Sequence, residues 1–271
     1  MDPDIVENPL YSGTIGDDLK SIPAVSIVMN IDDMFGSSGI YTNSTSRGLA
    51  WERSASAELI HPDGSEGFQV DCGIRMHGGW FRNHYATRKH NLRLLFKAQY
   101  GPTKLWYPWF GEDAVDYFDT IVLRAGANDG YSWDAAYLTE QYTRDEFGRR
   151  LQKAAGHASP LGTFVHLYIN GIYWGLYNPI ERADAAFSAT YYGGEKDDWD
   201  AIHDLSVSNG DINAWNQMVA KCSEAQTSDA AYQELQGNNP DGTANPDYPH
   251  LLDIMNYIDY LIVNLSLGNH D

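Results

Sequence analysis

Apolar and polar residues alternate most cleanly over residues 68–77, where Phe68, Val70, Cys72, Ile74 and Met76 are separated by Gln69, Asp71, Gly73, Arg75 and His77. A period of two sends the two sets to opposite faces of an extended chain, so this segment predicts a strand with one buried face. Apolar or alternating runs predict further strands at 24–29, 56–60, 89–97 and 119–125. In the run 89–97, Leu92, Leu94 and Phe96 share one face and Lys89, Asn91 and Arg93 the other. Two aromatic-rich runs, 163–169 and 172–178, flank Asn170-Gly171, the pair that best tolerates the left-handed conformation of a two-residue hairpin. Residues 36–51, rich in Gly, Ser and Thr, predict an irregular loop.

A different period marks the helices. From a cap at Ser132 or Asp134 to Gly156, the positions Tyr137, Glu140, Arg144, Phe147 and Leu151 follow steps of three and four and form one stripe. A carboxylate inside that stripe needs a cation, so Glu140 pairs either with Arg144 one turn away or with a lysine of the sheet, and Asp145 competes for the second role. Asp211 can cap a helix carrying Trp215, Val219 and Cys222, and residues 251–265 are amphipathic, with Gly268 as terminator. The order predicts an α+β chain with a mixed, mainly antiparallel sheet, an acid-bearing helix and then a mostly helical lobe. Its domains would be an N-terminal extension with one strand over 1–55, a sheet-bearing lobe over 56–182 and a partial helical lobe over 183–271.

Composition narrows the function classes. The 271 residues carry a formal charge of -19, which disfavours nucleic acid or an anionic membrane as partner. No apolar run is long enough to span a bilayer, and residues 1–10 lack the basic start and apolar core of a signal peptide. Two cysteines, Cys72 and Cys222, encode no disulfide framework. The spacing of His77, His84 and His90 matches no zinc pattern, and no metal ligand is assigned.

Against that acidic background, residues 75–104 contain no Asp or Glu but hold Arg75, Arg82, Arg88, Lys89, Arg93, Lys97 and Lys104. Either these cations pair with acids elsewhere in the fold or they line a site for an anion. Within the segment, His77-Gly78-Gly79 follows the strand directly. Paired glycines turn sharply and leave N–H groups unshielded, as a loop over phosphate oxygens requires, although they serve a plain hairpin equally well. Strand, glycine turn, lysine-bearing strand, acid-bearing helix, hairpin and helices in that order suit phosphoryl transfer, which needs placed cations and carboxylates more than covalent chemistry.

The segments RMHGGWFR, RKHNLRLLFKAQYG, FDTIVLRAGANDG, FVHLYINGIYWGLYNPIER and YIDYLIVNLSLGNHD resemble the CotH kinase family, named for spore coat protein H, across nearly the whole chain. The resemblance implies an atypical, protein-kinase-like fold that uses ATP and a divalent cation, Mg²⁺ or Mn²⁺, to phosphorylate serines of a surface or coat protein. It also implies an extracellular or cell-surface setting as part of a larger secreted protein. By the same resemblance Lys89 is the nucleotide-contacting lysine, His77, Gly78, Gly79 and Arg82 form the loop before it, and Glu181 is the acid leaving the hairpin toward the nucleotide. Asp271 opens the catalytic segment, and Glu140, read from the helix stripe, is the expected acid of the nucleotide site. The expected metal-binding Asp would follow Asp271, so the chain is expected to stop short of a complete active site. Phe81 stands where relatives commonly carry a small hydroxyl residue. A noncatalytic surface module, for adhesion or carbohydrate binding, is the alternative.

Overall fold

The alternation read from the sequence becomes the inside and outside of a barrel. The computed structural model describes residues 3–127, 129–130 and 141–269. Its strands are β1 (Ala24–Met29), β2 (Arg53–Ile60), β3 (Gln69–Met76), β4 (Leu92–Leu95), β5 (Leu105–Trp106), β6 (Tyr117–Phe118), β7 (Thr120–Arg124), β8 (Val165–Ile169), β9 (Ile172–Glu181), β10 (Ala201–His203) and β11 (Ser206–Asn209). The barrel runs β1-β2-β3-β4-β7-β9-β8 and closes through parallel pairing of β1 with β8, while its other pairs are antiparallel. The chain is α+β with a large, mainly antiparallel sheet, as expected.

Val25 and Ile27 of β1, Cys72 and Ile74 of β3, Leu94 of β4, Ile121 and Leu123 of β7, and Val165 and Leu167 of β8 are all fully buried in one core. Closure leaves no open strand edge, which a sheet would otherwise have to protect. Because β1 pairs on both sides, the expected N-terminal extension over 1–55 is built into the barrel rather than appended to it.

The hairpin between β8 and β9 turns at Asn170 (φ 49°) and Gly171 (φ 77°), the two left-handed residues that its sequence calls for. Asn170 Oδ1 also accepts from the Met29 amide at 2.9 Å, fastening the turn to β1.

The helices are α1 (Pro3–Val6), α2 (Ile15–Asp18), α3 (Ile31–Phe35), α4 (Arg144–Ala154), α5 (Ala185–Tyr192), α6 (Asn213–Ala225), α7 (Asp229–Leu235) and α8 (Ile254–Ser266). Two elements differ from expectation. The strand expected over 89–97 shrinks to β4, whose four residues are buried on both faces, so it has no solvated cationic face. Lys89, His90 and Asn91 instead form an irregular approach to it, tied down where Asn91 Oδ1 accepts from the Ala125 amide at 2.7 Å.

Of the helix expected from 132 or 134 to 156, the described part follows a turn at Tyr142 and Thr143 and is helical from Arg144, where the expected stripe residue Phe147 is exposed whereas Glu146 is buried. Tyr137 and Glu140 lie outside the described residues. Asp211, expected to cap α6, lies one residue before its N-cap Ile212, and its carboxylate accepts from the Asn213 amide at 2.7 Å. Asp253 caps α8, and Gly268 (φ 61°) follows that helix in the left-handed conformation.

Two compact units result, Met1–Glu146 with Pro160–Arg182, and Phe147–Ser159 with Ala183–Asp271. The barrel belongs wholly to the first. In the second, Ala185, Ala231 and Leu235 are the buried apolar residues among those described.

Candidate functional site

The acid-free segment 75–104 supplies cations to the first unit, and their partners separate them into kinds. Arg75 and Lys97 both close on Glu52, whose side chain is only 1% exposed. Arg75 Nη1 lies 3.0 Å from Oε1, and Lys97 Nζ lies 2.7 Å from Oε2. Tyr100 donates to the same carboxylate at 3.3 Å. Lys104 pairs with Asp119 at 2.9 Å. Arg82 is buried, and its guanidinium donates to the main-chain carbonyl of Ser44 at 2.6 Å and to that of Ser46. Burial first, then the neighbouring Arg47 and Arg75 charges, pull its pKa down to about 10, leaving it a cation at neutral pH. These groups hold the fold together, and Arg82 fastens the loop after the glycine turn to residues 44–46 rather than facing an open cleft.

Lys89 is different. Its ammonium donates to the Leu176 carbonyl of β9 at 2.5 Å and lies 4.9 Å from the ring centroids of both Tyr142 and Tyr177. Among the described residues no carboxylate forms an ion pair with it. Burial without a countercharge disfavours the charged form, and its pKa is pushed down to about 8. The aromatic faces and the carbonyl stabilise the cation in part. A lysine ammonium has three N–H donors and the carbonyl takes one, so among the described residues the group retains donors and meets no carboxylate.

Its surroundings are tightly specified. Tyr177 is fully buried with its hydroxyl donating to the His90 carbonyl at 2.9 Å, and burial raises that phenol's pKa. His90 is buried too. Its Nδ1 donates to the Phe81 carbonyl at 2.7 Å, which leaves Nε2 to accept from His84 Nδ1 at 3.0 Å. The residues on either side of Lys89 are therefore fixed while its side chain reaches β9.

The glycine turn runs beside this approach. His77 donates its amide to the Asn91 carbonyl at 2.9 Å, and Gly78 adopts φ 101°, a conformation that favours glycine. Burial, then the charges of Arg93, Arg182, Arg124 and Arg75, drive the His77 imidazole down to about 3, so it is neutral at physiological pH. Gly79 has nothing within 4 Å of where a Cβ would stand.

Glu181 ends β9, buried, with Oε2 accepting from the Leu161 amide at 2.9 Å. Glu140 and Asp271 lie outside the described residues. The glycine turn thus meets Asn91, two residues from Lys89, whose side chain reaches β9, while Arg82 and Glu181 are anchored elsewhere in the same unit.

Sequence reading missed Gly175, Tyr177 and the Leu176 carbonyl, which complete the Lys89 site, and Glu52, which removes two cations from contention. A glycine inside an otherwise apolar strand was the available signal for the first.

Among the described residues no group of three or more His, Cys, Asp or Glu side chains could hold a metal ion.

No curated protein matches the chain. The profile of the CotH kinase protein family matches residues 74–271, which takes in the glycine turn, Lys89, the hairpin and α4 to α8. With most of its length matched, the chain is a kinase-like domain and belongs to the CotH kinase family.

Proposed function

We propose that this domain binds ATP through the Lys89 ammonium and, in the company of Mg²⁺ or Mn²⁺, transfers the terminal phosphate to serines of a surface or coat protein outside the cell. The observation that carries the reading is the ammonium's lack of a carboxylate partner among the described residues, in a segment whose other lysines are paired. A phosphate oxygen accepting from Lys89 would supply the missing negative charge, and that gain is larger in a partly buried site than in water. Lys89 would hold the phosphates in place, Gly78 and Gly79 would let backbone N–H groups approach them, and neutral His77 would offer no competing charge. When bound, a divalent cation would supply charge neutralisation at the phosphates, and none of the described residues is assigned to hold it. Asp271 would orient the acceptor hydroxyl.

The test is a thermal-unfolding series with ATP, with and without Mg²⁺ or Mn²⁺, on the native chain and on Lys89→Met. Nucleotide at about 100 times its Kd stabilises a binding-competent chain by about 2.7 kcal/mol. The native protein is expected to show such a shift and Lys89→Met to lose it. An equal shift in both would remove Lys89 from the site.

A further inference from the structure

Strand β9 is irregular where Lys89 meets it. Its pairing with β8 runs Val165 to Tyr177, His166 to Leu176 and Leu167 to Gly175, then jumps to Tyr168 opposite Tyr173. Trp174 is the extra residue of a bulge, and its ring packs against Phe35 and Tyr41 at 5.7 Å from each. Gly175 follows at φ 122°, a conformation that side-chain-bearing residues rarely adopt.

The His166 amide donates to Pro23 on the β1 side, so Leu176, directly opposite His166, turns its own amide and carbonyl away from β8. That side belongs to β7, but the pairing of β7 with β9 ends at Arg124 and Asn178. The Leu176 carbonyl is therefore past the end of the ladder, and Lys89 Nζ fills the place of the absent strand donor. A Cβ at position 175 would stand 3.1 Å from Lys89 Cε, a tight contact that the lysine could relieve only by shifting a few tenths of an ångström, and 3.5 Å from Nζ.

We propose that Gly175 is a positioning residue for Lys89: the bulge and the missing Cβ seat the ammonium on the Leu176 carbonyl in the gap where β7 ends. The amine is thereby held in one place and half out of water before any nucleotide arrives. This inference deepens the nucleotide reading above and rests on it for its functional meaning, although the seating itself is a property of the unliganded protein.

The test compares Gly175→Ala with Gly171→Ala, a glycine of the same hairpin at φ 77° with nothing within 4 Å of a would-be Cβ. Both carry backbone strain, but only the first meets Lys89. Two readouts are taken. One is the pH midpoint for amine acylation at Lys89 in nucleotide-free protein, read by mass spectrometry. The other is ATP affinity. Gly175→Ala is expected to move the midpoint upward by about one pH unit, toward the ordinary lysine range, and to weaken ATP about tenfold, while Gly171→Ala changes neither. Equal behaviour of the two variants would overturn the inference.

Should Gly175→Ala not fold alone, it is made together with Lys89→Ala. Recovery of folding in the double variant supports the contact. Failure of both chains places the glycine's role in the backbone alone and also overturns the inference. If instead Lys89→Ala retains full ATP affinity, the nucleotide reading falls, while the acylation midpoints still decide on Gly175.

Discussion

Lys97 and Lys89 come from the same acid-free stretch, eight positions apart, and end in opposite circumstances. Lys97 shares the buried Glu52 carboxylate with Arg75 and Tyr100. Lys89 meets a carbonyl and two tyrosine rings. The first arrangement is electrically closed and its consequence is stability. The second leaves positive charge unmatched among the described side chains, and on the reading proposed above its consequence would be affinity for an anion from outside. What separates a structural cation from a functional one here is the location of its counter-charge.

The strongest way to break the comparison is to open the closed site. Glu52→Gln keeps the shape but strands Arg75 and Lys97 beside a neutral amide, and breaking a buried pair from one side costs about 3 to 5 kcal/mol. Lys97 is 40% exposed, so water relieves part of the loss and the lower end is expected. Urea unfolding measures it. ATP affinity of the folded fraction should not change, since Glu52 does not touch the Lys89 site.

The second prediction works through pH. The Lys89 pKa is depressed from 10.5 to about 8 on folding. Below pH 8 the amine is protonated in both folded and unfolded chains, so the full burial penalty opposes folding. Between about 8 and 10.5 the unfolded chain still holds the proton that the folded chain has released, so stability rises with pH and the penalty is gone above 10.5. At about 1.36 kcal/mol per pKa unit the swing is about 3 kcal/mol. Lys89→Met lacks it. The native protein should therefore gain on Lys89→Met by up to that amount between pH 7 and 11 in chemical unfolding. A flat difference would mean that the amine is not desolvated. Subtracting the two chains cancels the opposing effect of Cys72 and Tyr177, whose pKa values burial raises.

Arg82 sharpens the contrast with a smaller effect. Arg82→Lys keeps the charge and loses the fork that holds the Ser44 and Ser46 carbonyls. Stability is expected to fall by about 2 kcal/mol, as for a charged hydrogen-bonding group lost from a buried site. ATP affinity should stay within about twofold, which is about 0.4 kcal/mol. A tenfold loss of affinity at unchanged stability would return Arg82 to the phosphate loop.

Much of the scaffold could be read from local sequence because its causes are local. The alternation over β3 and the Asn170-Gly171 turn each depend on neighbouring residues, and both formed as read. The closed site depends on distant ones: Glu52 lies 45 positions from Lys97 and 23 from Arg75, with no periodicity linking them. Lys89 was identifiable as a candidate by resemblance, but its seating depends on where β7 stops and β9 bulges, which follow from barrel closure. The helix expected to run unbroken to Gly156 is interrupted because the apolar spacing over 137–151 ignored the turn at Tyr142 and Thr143 and the buried Glu146. In both cases the tertiary partners decided what the local pattern left open.

The smallest effect tests which part of Tyr177 matters to Lys89. The ring lies under the ammonium, whereas the hydroxyl points to the His90 carbonyl and holds the backbone next to Lys89. Tyr177→Phe keeps the ring and removes the donor, leaving a carbonyl unpaired at that bond, for about 1 kcal/mol of stability. The aromatic face persists, so the acylation midpoint of Lys89 should not move. Tyr177→Leu removes the ring as well and withdraws a stabiliser of the cation, so that midpoint should drop further below the ordinary lysine range. Identical midpoints in the Phe and Leu variants would show that the ammonium is held by the Leu176 carbonyl without help from the ring. The contrast with Lys97 would then rest only on the lack of a carboxylate partner among the described residues.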